Sequence, residues 1–145
     1  MKIIFDYNRT IFDPDTDNLY LGVLELLKKL SSKYELFLIS RNEPIRKNRL
    51  EELNIKNYFQ KIVFVDAKSK QVFEQIADGT KNIIIVGDSI GDEIKIGNQL
   101  GFITVRLKKG KFATQIPKNK DELAKFEITD INDLENIILN YEKQN

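Results

Sequence analysis

The chemistry in this sequence concentrates at two acidic clusters, each placed just after a short apolar run. The first is Asp6-Tyr7-Asn8-Arg9-Thr10, which follows Lys2-Ile3-Ile4-Phe5. The second is Gly87-Asp88-Ser89-Ile90-Gly91-Asp92-Glu93, which follows Ile83-Ile84-Ile85-Val86. A carboxylate just past a buried parallel strand lies at the carboxyl edge of a sheet, where open α/β proteins place their chemistry. Two strands ending in acids predict a shared oxygen site for Mg²⁺. Ser40 ends another apolar run, and Lys68 and Lys70 fall between a third run and the helix after it. A carboxylate, a hydroxyl, an ammonium and a second carboxylate can carry out phosphoryl transfer. One carboxylate attacks phosphorus, Mg²⁺ and Lys neutralise the phosphate oxygens, and the hydroxyl hydrogen-bonds them.

Composition narrows the alternatives. The chain has 145 residues, 41% of them hydrophobic and only three Pro, which predicts one domain over 1–145 with a core of its own. There is no Cys and no His. That excludes Cys/His zinc sites, thiol nucleophiles and Ser-His-Asp triads, and removes the commonest general base near neutral pH. Catalysis falls to Asp, Glu, Lys, hydroxyls, backbone groups or a hard cation. A cysteine-free chain fits the cytosol. No apolar stretch approaches the ~20 residues that cross a bilayer, so no membrane partner is expected. The net charge of +1 argues against a strongly nucleic-acid-seeking protein.

The elements that must position these groups alternate. Strands are expected over 2–6, 34–40, 61–65, 81–86 and 102–107, with a short one over 126–129. Helices are expected over 19–32, 43–53, 70–77, 92–100 and 131–141, their apolar positions recurring at helical spacing. Residues 7–18 read as irregular, with Asp13-Pro14-Asp15 as turn material, and 108–119 as a basic loop. Strands alternating with helices of this length predict a three-layer, Rossmann-like parallel sheet with helices on both faces. The run 81–86 is the most apolar and belongs at the centre. No Walker loop and no G-x-G-x-x-G is present.

Four short motifs, in order at strand ends, resemble those of the haloacid dehalogenase (HAD) superfamily. Asp6-Tyr7-Asn8-Arg9-Thr10 is similar to its Asp-x-Asp-x-Thr, and Ser40 to its strand-ending Ser or Thr. Lys68 or Lys70 matches its lysine before a helix, and Gly87-Asp88-Ser89 with a following acid its last motif. The resemblance covers roughly residues 2–140 and implies a phosphatase. It implies that Asp6 is the nucleophile that becomes aspartyl-phosphate and ligates Mg²⁺, with the backbone carbonyl of Asn8 as another ligand. It implies that Ser40, with Arg41 and Asn42 beside it, and Lys68 or Lys70 hold the phosphate, and that Asp88 ligates the metal. For the further acid, Asp92 and Glu93 both qualify by spacing, and Asp92 is preferred as the shorter acid.

Asn8 departs from the pattern. Phosphatases of this family carry Asp there, as the acid that protonates the leaving oxygen and then the base that activates water. An amide does neither. The expectation is therefore a site that binds Mg²⁺ and phosphate but turns over slowly, or a silent relative that only binds.

Access to the site is expected to be open. The segments between Asp6 and Ser40, and between Ser40 and Lys68, are filled by ordinary core elements, which leaves a HAD-like core without a cap domain. An open edge suits a large phosphorylated substrate, such as a protein or nucleic-acid end, or closure by a neighbouring subunit. Arg106, Lys108, Lys109, Lys111, Lys118 and Lys120 form a basic set near that edge, read mainly as a solvated loop and otherwise as an attractor for an anionic substrate or nucleic acid. Arg46, Lys47 and Arg49 read as a solvated helix face balanced by Glu51 and Glu52. A receiver domain is the non-enzyme alternative, with Asp66 as its phosphoacceptor.

Overall fold

The most apolar runs form the centre of one sheet, and their order fixes where everything else goes. In a computed structural model describing residues 1–145, β1 (Lys2–Asp6), β4 (Glu35–Arg41), β5 (Lys61–Val65), β6 (Ile83–Gly87), β7 (Ile103–Leu107) and β8 (Phe126–Ile128) form one sheet, ordered β5-β4-β1-β6-β7-β8. All five pairings are parallel. The chain winds outward from β1 through β4 to β5, then restarts at β6 and winds the other way through β7 to β8. The order therefore reverses between β1 and β6, and a crevice opens at their carboxyl ends.

Alternation along the strands separates two cores. Ile3 and Phe5 of β1, with Ile84 and Val86 of β6, face the larger one. There they meet Val23, Leu26, Leu27 and Leu30 of α1 (Val23–Ser31), Leu50 of α2 (Pro44–Leu53), and Leu134 and Ile138 of α5 (Leu134–Gln144). Ile4, Ile83 and Ile85 face the smaller core, against Phe73, Ile76 and Ala77 of α3 (Lys70–Ala77) and Ile96 and Leu100 of α4 (Lys95–Leu100). Fully burying each such side chain contributes ~1.5–3 kcal/mol. The result is the expected three-layer sandwich of a parallel sheet between helices.

Three details differ from the sequence expectation. The first helix starts at Val23 rather than at residue 19, because Gly22 takes a left-handed φ of 86° that no helix continues through. The residues before it form a small antiparallel hairpin, β2 (Phe12–Asp13) with β3 (Asn18–Leu19). The helix over 92–100 begins earlier and wider, as a π-helical turn Ile90–Ile94 that runs into α4. No cap domain is inserted. The first inter-motif segment carries only the hairpin and α1, and the second only α2, a short 3₁₀ turn and β5. No helix is long and apolar enough to cross a membrane.

Candidate functional site

The crevice between β1 and β6 gathers most of the expected chemistry. Asp6 is the last residue of β1, and Asp88 directly follows β6. Both are buried, at 6% and 2% exposure, and so is Glu93, at 2%. One carboxylate oxygen from each of Asp6, Asp88 and Glu93 lies within 4.8 Å of the others. Three buried carboxylates do not assemble without compensation, and two cations provide it. Lys68 Nζ lies 2.5 Å from Asp6 Oδ1 and bonds Glu93 Oε1 as well. Arg9 Nε donates to Asp88 Oδ2 at 3.0 Å. Thr10 Oγ1 donates to Asp6 Oδ2 at 3.3 Å, steadying the carboxylate from its own loop.

The electrostatics follow from this count of three anions against two cations. Burial and the neighbouring Asp6 charge raise the pKa of Asp88, with Arg9 opposing them. Burial and Asp6 likewise raise Glu93, although Lys68 pulls it down. For Lys68, burial alone would lower the pKa, but Asp6 and Glu93 outweigh it and hold the ammonium charged. Lys68 strengthened and Glu93 weakened at one contact look contradictory. They are consistent because a single ammonium is shared by two acids while a third lies next to them. The uncompensated negative charge either takes a proton or draws a cation.

Local backbone geometry explains how these side chains arrive. The amides of Thr10, Ile11 and Phe12 all point at the carbonyl of Tyr7, curling residues 7–12 into a tight loop past β1. Arg9 takes a left-handed φ of 59° within it, which turns its side chain back toward Asp88 and over the Phe112 ring, 4.7 Å from the ring centroid. At the other cluster, Gly87 makes room for Glu93. A Cβ at Gly87 would stand 2.8 Å from Glu93 Oε2 and 2.9 Å from its Cβ and Cγ.

The structure brings some expected residues in and leaves others out. Asp6, Asn8, Arg41, Lys68, Asp88 and Asp92 line a cavity of about 240 Å³ at this edge. Ser40, at 0% exposure, does not line it; its hydroxyl donates to the Arg41 carbonyl at 3.2 Å, and Arg46 Nη1 reaches that hydroxyl at 3.5 Å. Asp92, preferred in the sequence as the further metal acid, does not join the acidic cluster. It lines the more exposed part of the cavity, 3.8 Å from Arg41 Nη2, and Glu93 takes the inner place against Gly87. Lys70 is exposed at the first turn of α3 and stays outside the cavity, so of the two lysines Lys68 is the one that lines it. Asn42 is exposed and bonds Asp66 at 3.4 Å rather than facing the cavity. Asp66 itself is exposed beyond edge strand β5, apart from the acids, which removes the receiver-like arrangement.

Within the two basic sets, Arg46 and Arg106 differ from expectation, while Lys47, Lys108, Lys109, Lys111, Lys118 and Lys120 are exposed as expected. Arg46, placed on a solvated helix face, is only 16% exposed at its side chain and lines the cavity. Arg106, placed in a solvated basic set, is 2% exposed. Its Nη2 donates to the carbonyls of Phe112, Ala113 and Gln115, tying down the loop that carries Phe112 to Arg9. Arg9 lies within the first motif, and its positive φ and its reach to Asp88 are tertiary facts with no local sequence signal. For Glu93, Gly87 was the available signal.

A cluster of this kind can hold a metal. Ligand oxygens around an octahedral Mg²⁺ with ~2.1 Å bonds lie roughly 3–4 Å apart. The 4.8 Å limit of the three acids is close to that, so a small contraction suffices. Glu93 Oε2 is buried without a hydrogen-bond partner, a free donor oxygen of the type a hard cation takes. The donor set therefore fits Mg²⁺.

Comparison with known proteins agrees with this architecture. A protein-family model described as haloacid dehalogenase-like hydrolase matches residues 2–106. A glyceraldehyde 3-phosphate phosphatase of Methanopyrus kandleri is 30% identical over 89 residues, which is 55% of this chain and 38% of that protein. The chain thus spans well under half of that curated relative. An uncharacterized protein from Listeria monocytogenes serotype 4b superposes with a TM-score of 0.81 at 19% identity, covering 98% of both chains. A HAD phosphatase from Thermococcus onnurineus superposes at 0.67 with 18% identity, covering 83% of this chain and 58% of its own. Likenesses at these identities establish the fold, while the family model matches most of the sequence. The chain belongs to the haloacid dehalogenase-like hydrolase family.

Proposed function

We propose that this chain is a Mg²⁺-dependent phosphatase that works through a phosphoryl group carried on Asp6. The observation that supports it most is the convergence of Asp6, Asp88 and Glu93 around one point, with Lys68 between two of them. The relative that is a glyceraldehyde 3-phosphate phosphatase points the same way.

In this reading the Asp6 carboxylate attacks phosphorus, and the ester P–O bond breaks with its electron pair leaving on the alkoxide. Asp6, Asp88, Glu93 and the backbone carbonyl of Asn8 would hold Mg²⁺, which would supply positive charge to the phosphate oxygens. Lys68 and Arg46, which line the cavity, hold the phosphoryl group in place, with the Ser40 hydroxyl behind Arg46. Thr10 keeps the Asp6 carboxylate oriented. Water then attacks the acyl-phosphate, the P–O bond to Asp6 breaks, and inorganic phosphate leaves.

Asn8 sets the speed. It cannot give a proton to the alkoxide or take one from water, so both transfers fall to solvent, at a cost of ~10²–10⁴ in rate. Asn8 also favours a second reading, a phosphate-binding protein with negligible turnover. Hydrolysis of p-nitrophenyl phosphate decides between them, since its leaving group needs no proton. Slow release that requires Mg²⁺, stops with EDTA and disappears in Asp6→Asn supports the phosphatase. No Mg²⁺-dependent release supports the binding protein.

A further inference from the structure

Four cations line the cavity at the sheet edge, Arg9, Arg41, Arg46 and Lys68. Lys68 is committed to two carboxylates. Arg46 meets Glu43 through Nε at 3.2 Å and the Ser40 hydroxyl through Nη1. Arg41 pairs loosely with Asp92, and its side chain is 54% exposed, so fixing it costs rotamer freedom. Arg9 spends only Nε, on Asp88 Oδ2. Neither of its Nη atoms has a hydrogen-bond partner, and neither is sealed from solvent. Arg9 is thus the ordered cation with the most donors to give.

The fold builds this pose. The guanidinium lies between the Asp88 carboxylate and the Phe112 ring, and both of these line the cavity too, so the charged head belongs to its wall. Gly110 makes room for the stem. A Cβ there would stand 3.3 Å from Arg9 Cδ and 3.5 Å from its Cγ. Arg106 ties down the segment that carries Phe112. The left-handed backbone of Arg9 itself is a conformation that a non-glycine residue adopts at a cost. A guanidinium fixed in this way loses little freedom per added hydrogen bond, and its planar donors match phosphate oxygens.

We propose that Arg9 holds the phosphoryl group, its Nε keeping Asp88 while its Nη atoms donate to phosphate oxygens. The proposal rests on the phosphatase reading above and adds a binding residue to that site. The charges agree with it. Asp6, Asp88 and Glu93 set against Lys68, Arg9 and Mg²⁺ leave one net positive charge to meet a phosphate dianion, and without Arg9 none remains.

Calorimetric titration with inorganic phosphate at saturating Mg²⁺ tests it. Arg9→Met should weaken phosphate binding about tenfold, the worth of a hydrogen bond from a charged donor. Lys111 controls for charge alone. Its exposed Nζ stands 5.4 Å from the centroid of the same Phe112 ring but does not line the cavity, so Lys111→Met should leave phosphate affinity within about twofold. Phe112→Leu removes the ring without touching a charge and should weaken phosphate about threefold by loosening the guanidinium. Mg²⁺ affinity, titrated separately, should be unchanged or raised in Arg9→Met, since a positive charge beside the site is gone. Unchanged phosphate affinity in Arg9→Met, or an equal loss in Lys111→Met, overturns the proposal. So does a fall in Mg²⁺ affinity in Arg9→Met, which would make Arg9 a support for Asp88 instead. Should Arg9→Met fail to fold, unchanged phosphate affinity in Phe112→Leu overturns it. If the unmodified protein binds no phosphate, the phosphatase reading itself fails and takes the proposal with it.

Discussion

Lys68 Nζ lies 2.5 Å from Asp6 Oδ1 and on its other side bonds Glu93, so one ammonium serves two buried carboxylates. Its side chain is 5% exposed, and water cannot replace it there. Removing one member of a buried ion pair costs ~3–5 kcal/mol, because the partner charge is left uncompensated. Lys68→Met should therefore destabilise the metal-free protein by about that amount, read from urea unfolding. Mg²⁺ should recover part of the loss by supplying the missing charge. A cost under ~1 kcal/mol would mean the contact is electrostatically idle.

The surplus of negative charge gives stability a sign with pH. Burial and Asp6 raise the pKa of Asp88 and Glu93 in the folded state, so the native protein holds more protons than the unfolded chain above ~4. Stability contributed by such protons is full below the unfolded pKa and is lost as pH rises toward the folded one. The metal-free protein should thus weaken between roughly pH 5 and pH 8, and Mg²⁺ should flatten the slope. Asp130, whose pKa is lowered by its bonds to Asn132, acts only at lower pH, outside this window. Urea midpoints that rise across the window would contradict the raised acids.

Arg106 predicts a loop effect at a distance. Its three carbonyl acceptors, on Phe112, Ala113 and Gln115, hold the segment that packs Phe112 against Arg9. Arg106→Met should cost ~2 kcal/mol for the unpaired carbonyls and speed amide hydrogen exchange over residues 108–117. Exchange that stays unchanged there would separate Arg106 from the loop.

Asn8→Asp restores a carboxyl group that can exchange protons beside Asp6. Turnover of an alkyl phosphate, whose leaving group needs a proton, should rise by ~10²–10⁴. The gain for p-nitrophenyl phosphate should be smaller, since nitrophenolate leaves unaided. No gain with either substrate would show that residue 8 does not govern proton transfer, while equal gains would place its effect at the attack of water on the acyl-phosphate, the step both substrates share.

Much of this arrangement was legible in the sequence. The apolar runs ending in Asp6, Ser40 and Gly87-Asp88 gave the parallel strands, and strand ends on one edge gave the crevice. What the sequence obscured depends on rotation about an element rather than position along it. Asp92 and Glu93 are adjacent, and of the two it is Glu93 that enters the cluster, against Gly87. Charged side chains such as those of Arg46 and Arg106 usually face solvent. Here Arg46 lines the cavity at the sheet edge, and Arg106 is buried by a loop that folds over it. Neither fact has a local signature.

Magnesium titration by calorimetry tests the central claim most directly. One Mg²⁺ should bind the unmodified protein. Glu93→Gln should weaken it at least about tenfold, by loss of a carboxylate from the metal's surroundings, while Asp92→Asn should leave it within about twofold. No Mg²⁺ uptake by the unmodified protein, or loss of binding in Asp92→Asn with Glu93→Gln unaffected, would contradict the account.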